Sequence, residues 1–124
     1  LMEMAGLGGT DGLRAIEKLN GDNFHTWKFK MEMVLQEKDL WDIVTGDEER
    51  PKESAEASAY DKRARRAMAT ICLSVQDSLL GLVRPTKSAQ EAWQKLVQHF
   101  EQKGLAHKLF LRRKFFKLLA RHHA

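Results

Sequence analysis

The stretch that most constrains this chain runs from Phe24 to Leu35, where Phe24, Trp27, Met31, Val34 and Leu35 recur at steps of three and four or as direct neighbours. That spacing puts all five on one side of an α-helix and fits no strand. Asn20-Gly21-Asp22-Asn23 is a turn cluster in which Asp22 or Asn23 can cap the helix, so the sequence predicts a helix from about Phe24 to Glu37. Each large side chain on such a stripe gains roughly 1.5–3 kcal/mol on burial, which makes this helix the piece on which a fold is assembled. Phe29 and Met33 lie on another face of the same helix. They form either a second buried stripe, which the sequence favours, or a surface on which copies of the chain meet.

The other elements follow the same logic. Leu1 to Gly12 holds four glycines and no periodic pattern, so residues 1–14 read as a flexible arm, in part of vector origin. Ile16 and Leu19 are the first expected ordered contacts. Asp39 to Val44 reads as a short helix with Asp39 as its cap and Gly46 as its stop. Asp47 to Glu56 is charged, contains Pro51 and reads as a solvated loop. From Ala57 onward Tyr60, Ala64, Ala67, Ile71, Val75 and Leu79 repeat at helical steps, predicting the longest helix, with a restart from Asp77 through Val83 that ends before Pro85. Ser88 and Glu91 form a capping box for a helix presenting Ala89, Ala92, Trp93, Leu96, Val97 and Phe100. Lys103-Gly104 is expected to break it, and a last helix begins at Leu105. The reading is an all-α compact bundle of five or six helices over residues 15–120, anchored on Phe24, Trp27, Met31, Trp41, Ile71, Trp93 and Phe100, with residues 121–124 a tail of vector origin.

One cysteine excludes an internal disulfide and any Cys-based zinc site, and Cys72, on a stripe with Met68, Ile71 and Val75, reads as a small buried hydrophobe. No apolar run is long enough to span a bilayer and there is no signal-peptide pattern, so the expected setting is cytoplasmic, with the nucleus as the second choice and no membrane partner. Charge is segregated: Leu1 to Arg84 carries 12 basic and 15 acidic residues, whereas Pro85 to Ala124 carries 9 basic and 2 acidic. In the last helix Lys108, Arg112, Arg113, Lys114 and Lys117 read as phosphate or RNA contacts, or as the solvated face of a helix whose Leu and Phe side chains are buried, the latter preferred. Yet Leu109, Phe116 and Leu119 occupy one side while Phe110, Leu111, Phe115 and Leu118 are spread around the rest, more apolar surface than one core-facing stripe uses. With Phe29 and Met33, the residues Phe110, Leu111, Phe115 and Leu118 are the candidate self-association set.

No glycine-rich phosphate loop, nucleophile elbow or zinc-protease helix is present in the sequence, and the Glu48–Glu49 pair sits in a polar loop. No catalytic residue, cofactor, metal or small-molecule substrate is therefore assigned. Histidines 25, 99, 107, 122 and 123 share no ligand spacing.

Four blocks in order carry a resemblance: Leu19-Asn20-Gly21-Asp22-Asn23-Phe24-x-x-Trp27-Lys28-Phe29-Lys30-Met31; Leu40-Trp41; Ala89-x-Glu91-Ala92-Trp93-x-x-Leu96 with Phe100; and Lys103-Gly104-Leu105-Ala106-x-x-Leu109-x-Leu111-Arg112-Arg113. Together, over Ile16 to Leu118, the chain resembles the N-terminal part of Gag from copia-type LTR retrotransposons. Gly104 stands where many such proteins have serine. The resemblance implies a helical fold like the N-terminal lobe of retroviral capsid, self-assembly into capsid-like particles, and packaging of RNA by the full-length protein. It fits an element or a host gene domesticated from one. The expected partner is the chain itself, as a homo-oligomer or a helix-exchanged dimer, with RNA reached through the longer protein.

Overall fold

In the computed structural model the described residues are 13 and 15–123, with the side chains of 122 and 123 outside them. The expected arm at residues 1–14, apart from residue 13, and the tail's end lie outside that set. Among the described residues five α-helices follow one another: α1 (Phe24–Glu37), α2 (Trp41–Thr45), α3 (Ser54–Leu73), α4 (Leu80–Val83) and α5 (Ala89–His123), with a 3-10 turn at Asp77–Leu79 before α4. Among the described residues there is no strand. A single bridge pairs Leu19 with Val75, through Leu19 N–H to the Ser74 carbonyl (2.8 Å) and Gln76 N–H to the Leu19 carbonyl (3.0 Å).

The stripe on α1 faces inward as its period requires: Phe24, Trp27, Met31, Val34 and Leu35 are all buried. Around them close Leu19, Leu40, Val44, Ala67, Ile71, Val75, Val83, Trp93, Leu96 and Phe100. Of the seven expected anchors six are in this core, and Trp41 is half-buried, packed edge-on against Trp93 with ring centres 5.4 Å apart. Cys72 is likewise only partly buried, and that burial pushes its thiol pKa up.

The turn before α1 is held differently from a side-chain cap. Asn23 Oδ1 accepts the Asn20 N–H (2.8 Å) and Asn23 Nδ2 donates to the Lys18 carbonyl (3.0 Å), so Asn23 staples the lead-in instead of the first helical turn. Asp39 is not the cap of α2. It adopts φ 61°, and with Leu40 N–H on the Leu35 carbonyl (2.8 Å) and Asp39 N–H on that of Gln36 (3.0 Å) it closes α1 in a Schellman motif, Leu40 packing beside Leu35 in the core. Aspartate tolerates this left-handed conformation better than most residues. Gly46 ends α2 at φ 87°, as expected of a C-terminal glycine.

The polar loop after α2 is pinned to α3 by two forked arginine–carboxylate pairs. Arg63 donates to both oxygens of Glu48 (2.6 and 3.0 Å) and also reaches the Asp39 carbonyl, while Arg50 donates to both oxygens of Asp61 (2.9 and 3.0 Å). Arg50 holds the Asp61 carboxyl below its usual range, first through these hydrogen bonds. The capping box at α5 is present: Ser88 Oγ accepts the Glu91 N–H (3.1 Å) and Glu91 reaches back to the Lys87 N–H (3.1 Å), one residue earlier than the usual partner.

The main departure is α5. The expected break at Lys103-Gly104 is absent, and one helix of 35 residues, about 52 Å long, replaces two; it, not α3, is the longest. Glycine in a helix interior costs only about 1 kcal/mol relative to alanine, and the flanking Glu101, Gln102, Lys103, Leu105, Ala106 and Lys108 are good helix formers. Gly104 also lacks the positive φ by which a glycine ends a helix, unlike Gly46.

Candidate self-association surface

Phe100 is the last residue of α5 to be buried, and every described side chain from 101 to 121 is exposed. This stretch, here called the arm, is about 30 Å of helix, and only its root, at Lys103, Gly104 and His107, shares a hollow with the body, lined there by Gly21, Asp22, Phe24 and His25. Leu105, Leu109, Phe110, Leu111, Phe115, Phe116, Leu118 and Leu119 all stand in solvent, Phe110 at 60% and Phe115 at 58% exposure. The preferred expectation, a solvated basic face over buried Leu and Phe, is therefore wrong. A face can be read from spacing, but burial requires a neighbour, and within this chain the arm beyond its root has none.

The arm has sides. At 100° per residue, Leu105, Leu109, Phe116 and Leu119 form one apolar edge and Leu111, Phe115 and Leu118 another, together covering about half the circumference. Lys103, His107, Phe110, Lys114, Lys117 and Arg121 line the opposite side. Leu111, Phe115 and Leu118 thus act together, whereas Phe110 sits among cations. Of the candidate RNA contacts, Arg113, Lys114 and Lys117 share the basic side, while Lys108 and Arg112 lie within the apolar half. Residues 101–121 hold seven basic and one acidic side chain, and among the described residues none of them is in an ion pair.

Phe29 and Met33 are exposed too, at 63% and 43%, one turn apart on the outer side of α1, so they are not the second buried stripe that the sequence favours. Met33 lines a shallow hollow with Ala15, Ile16, Lys30, Val34 and Glu37, none of them from the arm. The two apolar surfaces are separate.

One feature escaped sequence reasoning. Trp41, Val44, Trp93 and Val97 wall an open groove between α1, α2 and α5, with Lys28 and Glu32 at its edge. A smaller hollow on the other side of Trp41 is lined by Gln36, Asp39 and Asp42. The flanking Asp39 and Asp42 were the signal that Trp41 stands on a rim.

Among the described residues no cluster of three or more His, Cys, Asp or Glu could hold a metal, no helix is long and apolar enough to cross a membrane, and every buried side-chain polar atom has a hydrogen-bond partner. The fold and surface define a helical domain whose exposed chemistry is bare apolar helix faces and cations. Residues 31–122, well over half of the chain, match the gag-polypeptide of LTR copia-type, and the chain belongs to that family. The family is structural and non-catalytic. The match begins inside α1, so most of the Leu19–Met31 block lies ahead of it. No solved structure matches the chain.

Proposed function

We infer that this chain is an assembly domain of a retrotransposon Gag, or of a host protein derived from one, which builds capsid-like particles by packing helices of one copy against another. The observation that carries this reading is the arm's eight large apolar side chains in solvent. A monomer rarely leaves a contiguous apolar patch of more than a few hundred Å² uncovered, and such patches mark protein contacts. The exposed Phe29 and Met33 offer a second contact, as a shell requires of each subunit. Changing Leu111, Phe115 and Leu118 together to Ser is expected to weaken association at least about tenfold, the loss of roughly 1.4 kcal/mol or more of apolar burial. The melting temperature of the monomer should hardly move, because none of the three touches the core. Light scattering after size exclusion and electron microscopy of the longer Gag read the outcome. Undiminished particles from the triple variant would remove the arm from the contact.

The excess of seven cations over one carboxylate on residues 101–121 favours a second reading, an RNA contact along Lys103, Arg113, Lys114, Lys117 and Arg121. It predicts an affinity that falls steeply with salt and is lost on changing Arg113, Lys114 and Lys117 to Glu. RNA binding undetectable at low salt would dispose of it.

A further inference from the structure

Within the arm's apolar half, Lys108 and Arg112 stand one turn apart between the Leu109–Phe116 edge and the Leu111–Phe115 edge. This placement selects among partners. Hydrocarbon would leave two cations without counter-charge, and a second arm laid along the first would bring like charges together. The complementary surface is apolar with carboxylates at its lip. The body carries such a surface in the Trp41 groove, with Glu32 at its edge and Asp42 in the hollow beside it, against the single cation Lys28. Among the described residues neither Glu32 nor Asp42 is in an ion pair. Residues 39–56 as a whole carry seven acids against two bases, so the acid-rich part of the body and the basic arm complement each other.

A molecule cannot satisfy itself in this way while α5 is continuous. Trp93 and Val97 line the groove and Arg112 lies further along the same unbroken helix, about 22 Å beyond Val97. We propose that the arm of one copy seats in the Trp41 groove of a second copy, with Lys108 and Arg112 facing Glu32 and Asp42. This rests on the self-assembly reading and specifies its geometry. Arm and groove are different surfaces, so the contact is head-to-tail, each copy gives one and receives one, and growth stops only when a ring closes.

The test uses two variants of the full chain, one with Lys108→Glu and Arg112→Glu, the other with Glu32→Gln and Asp42→Asn. Each loses one half of the contact and keeps the other. In sedimentation velocity the parent is expected to form concentration-dependent higher species. Each variant alone should associate at least roughly tenfold more weakly, as loss of interfacial charge pairs predicts. Their equimolar mixture should give a dimer holding one copy of each and nothing larger, because the surviving arm meets the surviving groove and both ends are then dead. That dimer would also show that both variants fold. Variants that associate as the parent does, or a mixture that stays monomeric, would overturn the head-to-tail contact while leaving self-assembly standing. A parent that remains monomeric at every concentration would overturn both.

Discussion

Trp27→Ala is expected to lower the free energy of unfolding by about 3–5 kcal/mol, a large share of the roughly 5–15 kcal/mol that holds a domain of this kind together. Trp27 is only 1% exposed, and its ring stacks on Trp93 with centres 5.4 Å apart, joining α1 to α5. Its indole N–H donates to the Ser74 carbonyl at 3.0 Å, joining α1 to the end of α3. The same carbonyl accepts the Leu19 N–H, which ties in the lead-in segment. Three parts of the chain therefore meet at one side chain. Trp27→Phe separates the contributions: it keeps most of the apolar volume and leaves the Ser74 carbonyl one partner, so the lost hydrogen bond should cost only about 0.5–1.5 kcal/mol, plus a small packing defect. Urea denaturation followed by circular dichroism measures both. A midpoint for Trp27→Ala close to that of the parent would show that the core does not depend on this ring.

What the sequence made legible was whatever depends on period and local chemistry. The stripe from Phe24 to Leu35 gave α1 with its observed ends, and Ser88 with Glu91 marked the start of α5, because a helical face and a capping box are written within a few residues of one another. Contacts between distant residues were not legible. Arg63 with Glu48 and Arg50 with Asp61 turn a stretch that reads as solvated loop into a fastened one, and their separation in sequence hides them. Asp39 shows two local signals competing: as a carboxylate ahead of Trp41 it reads as a cap, yet the pull of Leu40 into the core beside Leu35 makes it the closing residue of α1. Gly104 shows the converse, a helix-ending residue outvoted by its neighbours when no left-handed turn or apolar contact favours a stop. For the candidate surface, the excess of apolar residues after Leu105 was plain in the sequence. That all of them stand bare was not, because spacing assigns a face and says nothing of what covers it.

Phe100→Ala should be the most damaging single change at the root of the arm, costing about 3 kcal/mol, the low end for a buried Phe because the site lies at the core's edge. Phe100 is 7% exposed and stacks nearly parallel on Phe24, 5.0 Å between centres, with His99 set edge-on against it at 4.9 Å. Beyond this stack every described side chain of α5 up to residue 121 is exposed, so the Phe24–Phe100 pair marks where packing hands over to intrinsic helix propensity. Unpacked helices of such length are marginal in water. In dilute monomer the amides of residues 101–121 are therefore expected to exchange with solvent far faster than those of 89–100. Removing Phe100 should move that boundary about one turn inward, to Leu96, the next fully buried side chain on the helix. Hydrogen exchange read by mass spectrometry on dilute and concentrated samples checks both statements, since seating the arm on a second copy should slow exchange in 101–121 as concentration rises. If the arm were already as protected as 89–100 in the monomer, its apolar faces would be covered from within, and the physical case for assembly through them would be gone.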